Sequence, residues 1–262
     1  MEYGWIDDTM GVIRRDFGPS DLENEIREAG IAGVIAVQAR QTLAETGWLL
    51  NLAAENDFIR AVVGWVPLTS AGIRDELAAW RQQPLLRGLR HVVQDEPDGY
   101  LLKEDFNAGI AALEETGLVY DLLVRERQLP EAIQFVDRHP NQVFVLDHLA
   151  KPSIKENRPE FWSRCIRELA RRNHVFCKVS GLVTEADFRA WTGELLRPYF
   201  ETVLSDFGAD RLMFGSDWPV CLVASTYRCW YETVSHWTES LSGDEKRKIF
   251  GATATQVYRL TA

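Results

Sequence analysis

Histidine and cysteine are scarce in this 262-residue chain, with five and four residues, and basic residues are outnumbered, which leaves a formal net charge of −10. Cys165, Cys177, Cys221 and Cys229 form no Cys-x-x-Cys pair. That excludes a zinc knuckle or a disulfide framework and reads as reduced thiols in an intracellular protein. Without a basic patch, nucleic acid is not expected as a partner. No apolar stretch approaches the length that crosses a bilayer, so no membrane association is expected. The first residues, Met1-Glu2-Tyr3-Gly4-Trp5-Ile6-Asp7-Asp8, are acidic and lack an apolar signal-peptide core, so a cytoplasmic location is expected. Low-complexity linkers and breaks in composition are missing too, and residues 1–262 are read as a single domain.

What is abundant is core material. Hydrophobic residues make up 46% of the chain, with nine Trp and twelve Phe, enough to bury a large interior. Short apolar runs recur at Ile31–Ala39, Ile59–Val66, Leu86–Val93, Leu118–Val124, Gln142–Leu149, His174–Gly181 and Arg211–Asp217. Runs apolar on both faces suit parallel strands covered by helices. Amphipathic stretches alternate with them: Asp21–Gly30, Glu45–Glu55, Ile73–Arg81, Glu104–Thr116, Leu129–Arg138, Phe161–Arg172, Leu195–Phe207, Tyr227–Leu241 and Asp244–Tyr258. The alternation predicts an α/β fold, and the size and spacing predict a (β/α)8 TIM barrel. Such a barrel needs eight strands. Only seven runs are visible; residues 1–17 hold no strand, and Asp21–Gly30 looks like the helix that should follow a first one.

Polar residues gather where the runs end, the level at which such a barrel builds its active site. They are Gln38 and Arg40, Arg90 and His91, Tyr120 and Asp121, Asp147 and His148, Lys178 and Ser180, and Asp217 in Gly215-Ser216-Asp217-Trp218-Pro219. Each alone could be a satisfied structural group; Lys178 could be a partly buried ion-pair partner. Strand alternation turns Asp147 away from His148 and gives it a structural role. Six strand ends all polar at one level are harder to explain by packing, since buried polar groups cost free energy unless paired. The other histidines, His139, His174 and His236, sit at ordinary structural positions.

Three segments then carry a resemblance: Gly215-Ser216-Asp217-Trp218-Pro219, Leu146-Asp147-His148-Leu149-Ala150-Lys151-Pro152 and Lys178-Val179-Ser180-Gly181-Leu182-Val183-Thr184-Glu185. Together with Val37-Gln38-Ala39-Arg40 and Leu89-Arg90-His91, the chain resembles the amidohydrolase-related family over nearly its whole length, in particular its branch of sugar-acid lactonases. The resemblance implies a metal-dependent-hydrolase type of barrel that opens a lactone or ester, or in cousins decarboxylates. It also implies a first strand ending in His-x-His, a motif found nowhere in this sequence. The missing motif coincides with the missing strand, and the expectation is that Met1 is a misassigned or internal start.

The resemblance implies hydrolysis of a small sugar lactone, with Asp217 as general base and His148 as its catalytic partner. Gln38, Arg40, Arg90, His91, Tyr120, Lys178 and Trp218 are expected to bind substrate. A catalytic zinc normally has three protein ligands. This chain offers only His148 and Asp217, so no metal set is assigned; with a His-x-His strand present, the two could join a divalent zinc site. Two further readings stay open: a pyrone-dicarboxylate lactonase or decarboxylase, which would call on Arg40, Arg90 and Arg125, and a non-catalytic ligand-binding barrel. The oligomeric state is left open, a homo-oligomer included.

Overall fold

The computed structural model describes residues 3–260; the expectation about Met1 falls outside them. Seven parallel strands form one sheet in the order β1 to β7: β1 (Val34–Val37), β2 (Ile59–Gly64), β3 (Leu86–His91), β4 (Val119–Leu122), β5 (Phe144–Leu146), β6 (Val175–Val179) and β7 (Leu212–Phe214). Every one lies inside an apolar run expected to form it. Between them run α1 (Pro19–Glu28), α2 (Leu43–Glu55), α3 (Ile73–Trp80), α4 (Glu104–Glu114), α5 (Leu129–Arg138), α6 (Pro159–Leu169), the single turn α7 (Leu182–Glu185), α8 (Gly193–Phe207) and α9 (Tyr227–Trp237). Local chemistry fixes their starts. Thr42, Thr192 and Thr226 each accept a backbone N–H three residues on, and Pro19 and Pro159 open α1 and α6.

The sheet curls as in a (β/α)8 barrel. Leu89, Leu122, Phe144, Leu146, Cys177 and Leu212 face the helices in the outer core. Val63, Val119, Val145 and Met213 face the axis, joined by Ile35, Val37 and Phe176. Register places the polar axis residues Arg90 and Asp121 side by side across β3 and β4, while Lys178 on β6 has the apolar Met213 of β7 as its neighbour.

Among the described residues β7 and β1 are not paired, so a seam separates them. Two segments border it. At the mouth, residues 3–17 run from the β1 exit, where the Arg40 guanidinium lies 5.8 Å from the Tyr3 ring, to the β7 exit, where Phe17 meets Trp218 edge-on at 5.2 Å. At the floor, Val257 and Tyr258 pack into the axial cluster, beside Ala254 and Leu260.

That floor contact corrects one expectation. Asp244–Tyr258 is not one helix. It divides into α10 (Gly243–Arg247), a wide turn at Lys248–Ala252, and α11 (Thr253–Val257), with the backbone leaving helical geometry at Gly251. The break lets Ile249 bury completely and packs Phe250 against Phe214 and, edge-on, Tyr231, while the chain turns inward at Tyr258. Tertiary packing overrides a helical pattern that is locally sound.

Candidate active site

Beyond β5 the chain makes an unusual turn. His148, Leu149, Ala150 and Lys151 all have positive φ, between 48° and 61°, and none is glycine. A left-handed turn of L-residues costs about 1–2 kcal/mol per residue, so the surroundings must hold it. The Trp162 indole of α6 donates to the Leu149 carbonyl at 2.7 Å, and Lys151 N–H donates to the His148 carbonyl at 2.8 Å. The turn swings His148 across the mouth. Its Nδ1 lies 2.8 Å from Ser180 Oγ at the β6 exit, and its Nε2 lies 3.6 Å from Asp217 Oδ1 at the β7 exit.

Gly181 makes room for this. A Cβ there would stand 2.7 Å from the His148 ring, and its φ is +69°. Asp217 is itself left-handed, at φ 55°, and is followed by a cis Trp218–Pro219 bond. The Trp230 indole holds the preceding Gly215 carbonyl at 2.9 Å. Burial pushes the His148 pKa below the ordinary histidine value, although Asp217 and Asp147 oppose the shift.

Beneath the pair lies a buried charge lattice on the axis. Lys178 Nζ sits 2.5 Å from Asp121 Oδ2 and 2.7 Å from Asp147 Oδ1, and Arg90 Nη1 reaches Asp147 Oδ2 at 2.8 Å. Both aspartates are fully buried, while Arg90 and Lys178 keep 11% and 12% of their side chains exposed toward the mouth. Burial works against the Lys178 ammonium, but Asp121 and Asp147 outweigh it and raise its pKa. Burial likewise opposes ionisation of Asp147, yet Lys178 and Arg90 hold its carboxyl well below the usual range. Gln38, completely buried, braces Arg90: its Nε2 donates to the Arg90 carbonyl at 3.1 Å, and its own carbonyl and amide oxygens accept from Arg90 Nη2.

The expected site residues therefore separate. His148, Asp217, Arg90 and Lys178 converge on the mouth, with Gln38 one layer behind. Trp218 stands half-buried at the β7 exit against Phe17, and Arg40 lies at the β1 exit, its N–H held by Glu45 Oε2 at 2.7 Å. Two residues are placed elsewhere. Tyr120 packs in the outer layer among Phe106, Phe135 and Phe144, because alternation along β4 turns Asp121 to the axis. His91 stacks on Tyr100 at 5.0 Å, and both ring nitrogens are engaged, Nδ1 by the Trp65 indole at 3.2 Å and Nε2 by Glu96 at 3.0 Å. His91 has no ring nitrogen left for a ligand, and Tyr120, completely buried, is turned away from the axis. Sequence reasoning did not single out Gly181 as the seat of His148, nor Tyr258 at the floor. The Ser180-Gly181 pair at a strand exit was the signal available for the first; nothing local marks the second.

Among the described residues no group of three His, Cys, Asp or Glu side chains stands close enough to hold a metal. His148 and Asp217 make two donors, short of the three that a catalytic zinc takes. The residues described do not by themselves complete such a centre.

A curled parallel sheet with convergent polar groups at the strand C-termini puts them where enzymes of the (β/α)8 barrel class build their active sites. The chain belongs to the amidohydrolase family, whose model matches residues 8–260. It is 42% identical to the L-fucono-1,5-lactonase of Burkholderia multivorans, over 99% of this chain and 91% of that protein. The L-fucono-1,5-lactonase of Burkholderia ambifaria is 37% identical, over 98% and 90%. A crystal structure of a Burkholderia multivorans amidohydrolase with bound zinc superposes with a TM-score of 0.96 at 41% identity, covering 99% of this chain and 94% of that one. No helix among the described residues is long and apolar enough to cross a membrane.

Proposed function

We propose that this hydrolase opens a sugar-acid lactone of the L-fucono-1,5-lactone type by attack of water on the ring ester carbonyl. The observation that carries the reading is the Asp217–His148 pair set over the Arg90–Lys178 cations at one barrel mouth. Relatives 42% and 37% identical that bear the name L-fucono-1,5-lactonase support the choice of substrate.

Asp217 acts as general base. At 3.6 Å its carboxylate is too far from His148 Nε2 for a hydrogen bond, so that ring does not occupy its lone pairs. Asp217 takes a proton from water as the oxygen bonds to the carbonyl carbon. The electron pair of the C=O moves onto oxygen, where Arg90 and Lys178 supply positive charge and His148, its pKa lowered by burial, supplies its ring N–H as a donor. Collapse re-forms the carbonyl and breaks the bond to the ring oxygen, and Asp217 returns its proton to that alkoxide. The products are one hydroxyl and one carboxylic acid.

Two of the arginines that a dicarboxylate would call on are engaged. Arg90 is held by Asp147 and Gln38, and Arg125 lies 3.7 Å from Asp95. This favours a neutral lactone over a pyrone dicarboxylate. The test is acid release from L-fucono-1,5-lactone, followed at constant pH beside the uncatalysed rate. Saturable turnover is expected; binding without turnover would support a non-catalytic barrel.

A further inference from the structure

The mouth does not end at Lys178. The lattice continues downward through Asp121, whose Oδ2 takes Lys178 and whose Oδ1 accepts a hydrogen bond from Tyr258 Oη at 2.7 Å. Tyr258 lies 137 residues further along the chain and is 1% exposed. It enters the axis from the floor: the next residue, Arg259, sits against Gly117 just before β4, and Thr253 Oγ1 donates to the Asp210 carbonyl just before β7. The ring packs among Val63, Val119, Val145 and Met213, with its centroid 6.0 Å from Lys178 Nζ. An unbroken series thus crosses the barrel, from Tyr258 at the floor through Asp121, Lys178 and Asp147 to Arg90.

We propose that Tyr258 is a positioning residue for the mouth: its hydroxyl fixes the Asp121 carboxylate, and through it the place of the Lys178 ammonium above. Resting on the hydrolytic reading of that mouth, it adds that the C-terminal segment is part of the active-site scaffold. A carboxylate with no exposure must have both oxygens satisfied. Lys178 takes Oδ2, and Tyr258, rising from the apolar floor cluster, supplies the hydrogen bond to Oδ1. Without that hydroxyl, Asp121 turns toward Lys178 to recover a partner and carries the ammonium with it. Displacements of about 1 Å near reacting groups can cost two orders of magnitude in rate. The ring itself only fills space, so hydroxyl and ring can be tested apart.

Tyr258→Phe keeps the ring and removes the hydroxyl. The expected result on L-fucono-1,5-lactone is a kcat at least fivefold lower per folded molecule with KM within twofold. Tyr258→Leu, which also loses the ring, should show the same kcat defect together with a lower Tm. A purely packing role predicts wild-type kcat in Tyr258→Phe and would overturn the proposal. A second readout needs no turnover: urea unfolding of Tyr258→Phe, Asp121→Asn and the double variant. Losses that are clearly non-additive are expected, and additive losses would also overturn it. A wild-type protein that leaves lactones untouched while the cycle shows coupling would instead overturn the hydrolytic reading.

Discussion

Gly181 carries more of the site than its size suggests. Its backbone is left-handed and the His148 ring occupies the space a side chain would need. Gly181→Ala is expected to displace the ring from Ser180 and Asp217 and to lower kcat by roughly tenfold or more. Lactone kinetics on the folded variant check this, and wild-type kcat would contradict it. Four indoles act in a related way. Those of Trp65, Trp162, Trp191 and Trp230 each donate one hydrogen bond that pins a loop or side chain at the strand exits. Buried Trp usually finds such a partner. At this scale the polar strand exits were legible as a group, but Asp147, which alternation turned away from the site, lies on the axis in phase with Val145 and holds Arg90 and Lys178. Tyr120 and Asp121 show the limit. Both are polar and adjacent, and only the phase of β4 decides which one meets the axis.

Among the elements, the strands were the most legible because each is a short apolar run bounded by polar exits. The turn after β5 was not. Asp147-His148-Leu149-Ala150-Lys151 contains no glycine to announce positive φ, and the conformation is imposed by Trp162, Ser180 and the emptiness at Gly181. Ala150 tests the conformation directly. A β-branched residue cannot take a left-handed backbone cheaply, so Ala150→Val is expected to cost at least about 2 kcal/mol. Ala150→Gly, which gains backbone ease and loses one buried methyl, should stay within about 1 kcal/mol of wild type. Urea midpoints of the two variants decide it, and equal midpoints would argue against a strained turn. The last helix failed for the opposite reason: its periodicity was sound, and packing of Ile249, Phe250 and Tyr258 broke it.

For the whole molecule, two features stand out: the seam between β7 and β1, bordered at the mouth by residues 3–17 and at the floor by the C-terminal segment, and the number of buried ionisable groups. Burial lowers the pKa of His91, His139, His148 and His174. Below about pH 6.5 the unfolded chain takes up protons that the folded one refuses, so stability must fall as pH falls. Asp121, Glu45 and Glu131, raised by burial, act in the opposite sense but start from lower values. The urea midpoint should therefore be lower at pH 6 than at pH 7.5, and an unchanged or higher midpoint would mean the histidines are not held neutral. The central claim concerns one carboxylate over one cationic mouth. It is tested most directly by acid release from L-fucono-1,5-lactone catalysed by the wild type and by Asp217→Asn. The account predicts saturable turnover that falls on the order of 100-fold or more in the variant, with the fold intact by circular dichroism. A variant as fast as the wild type would contradict it.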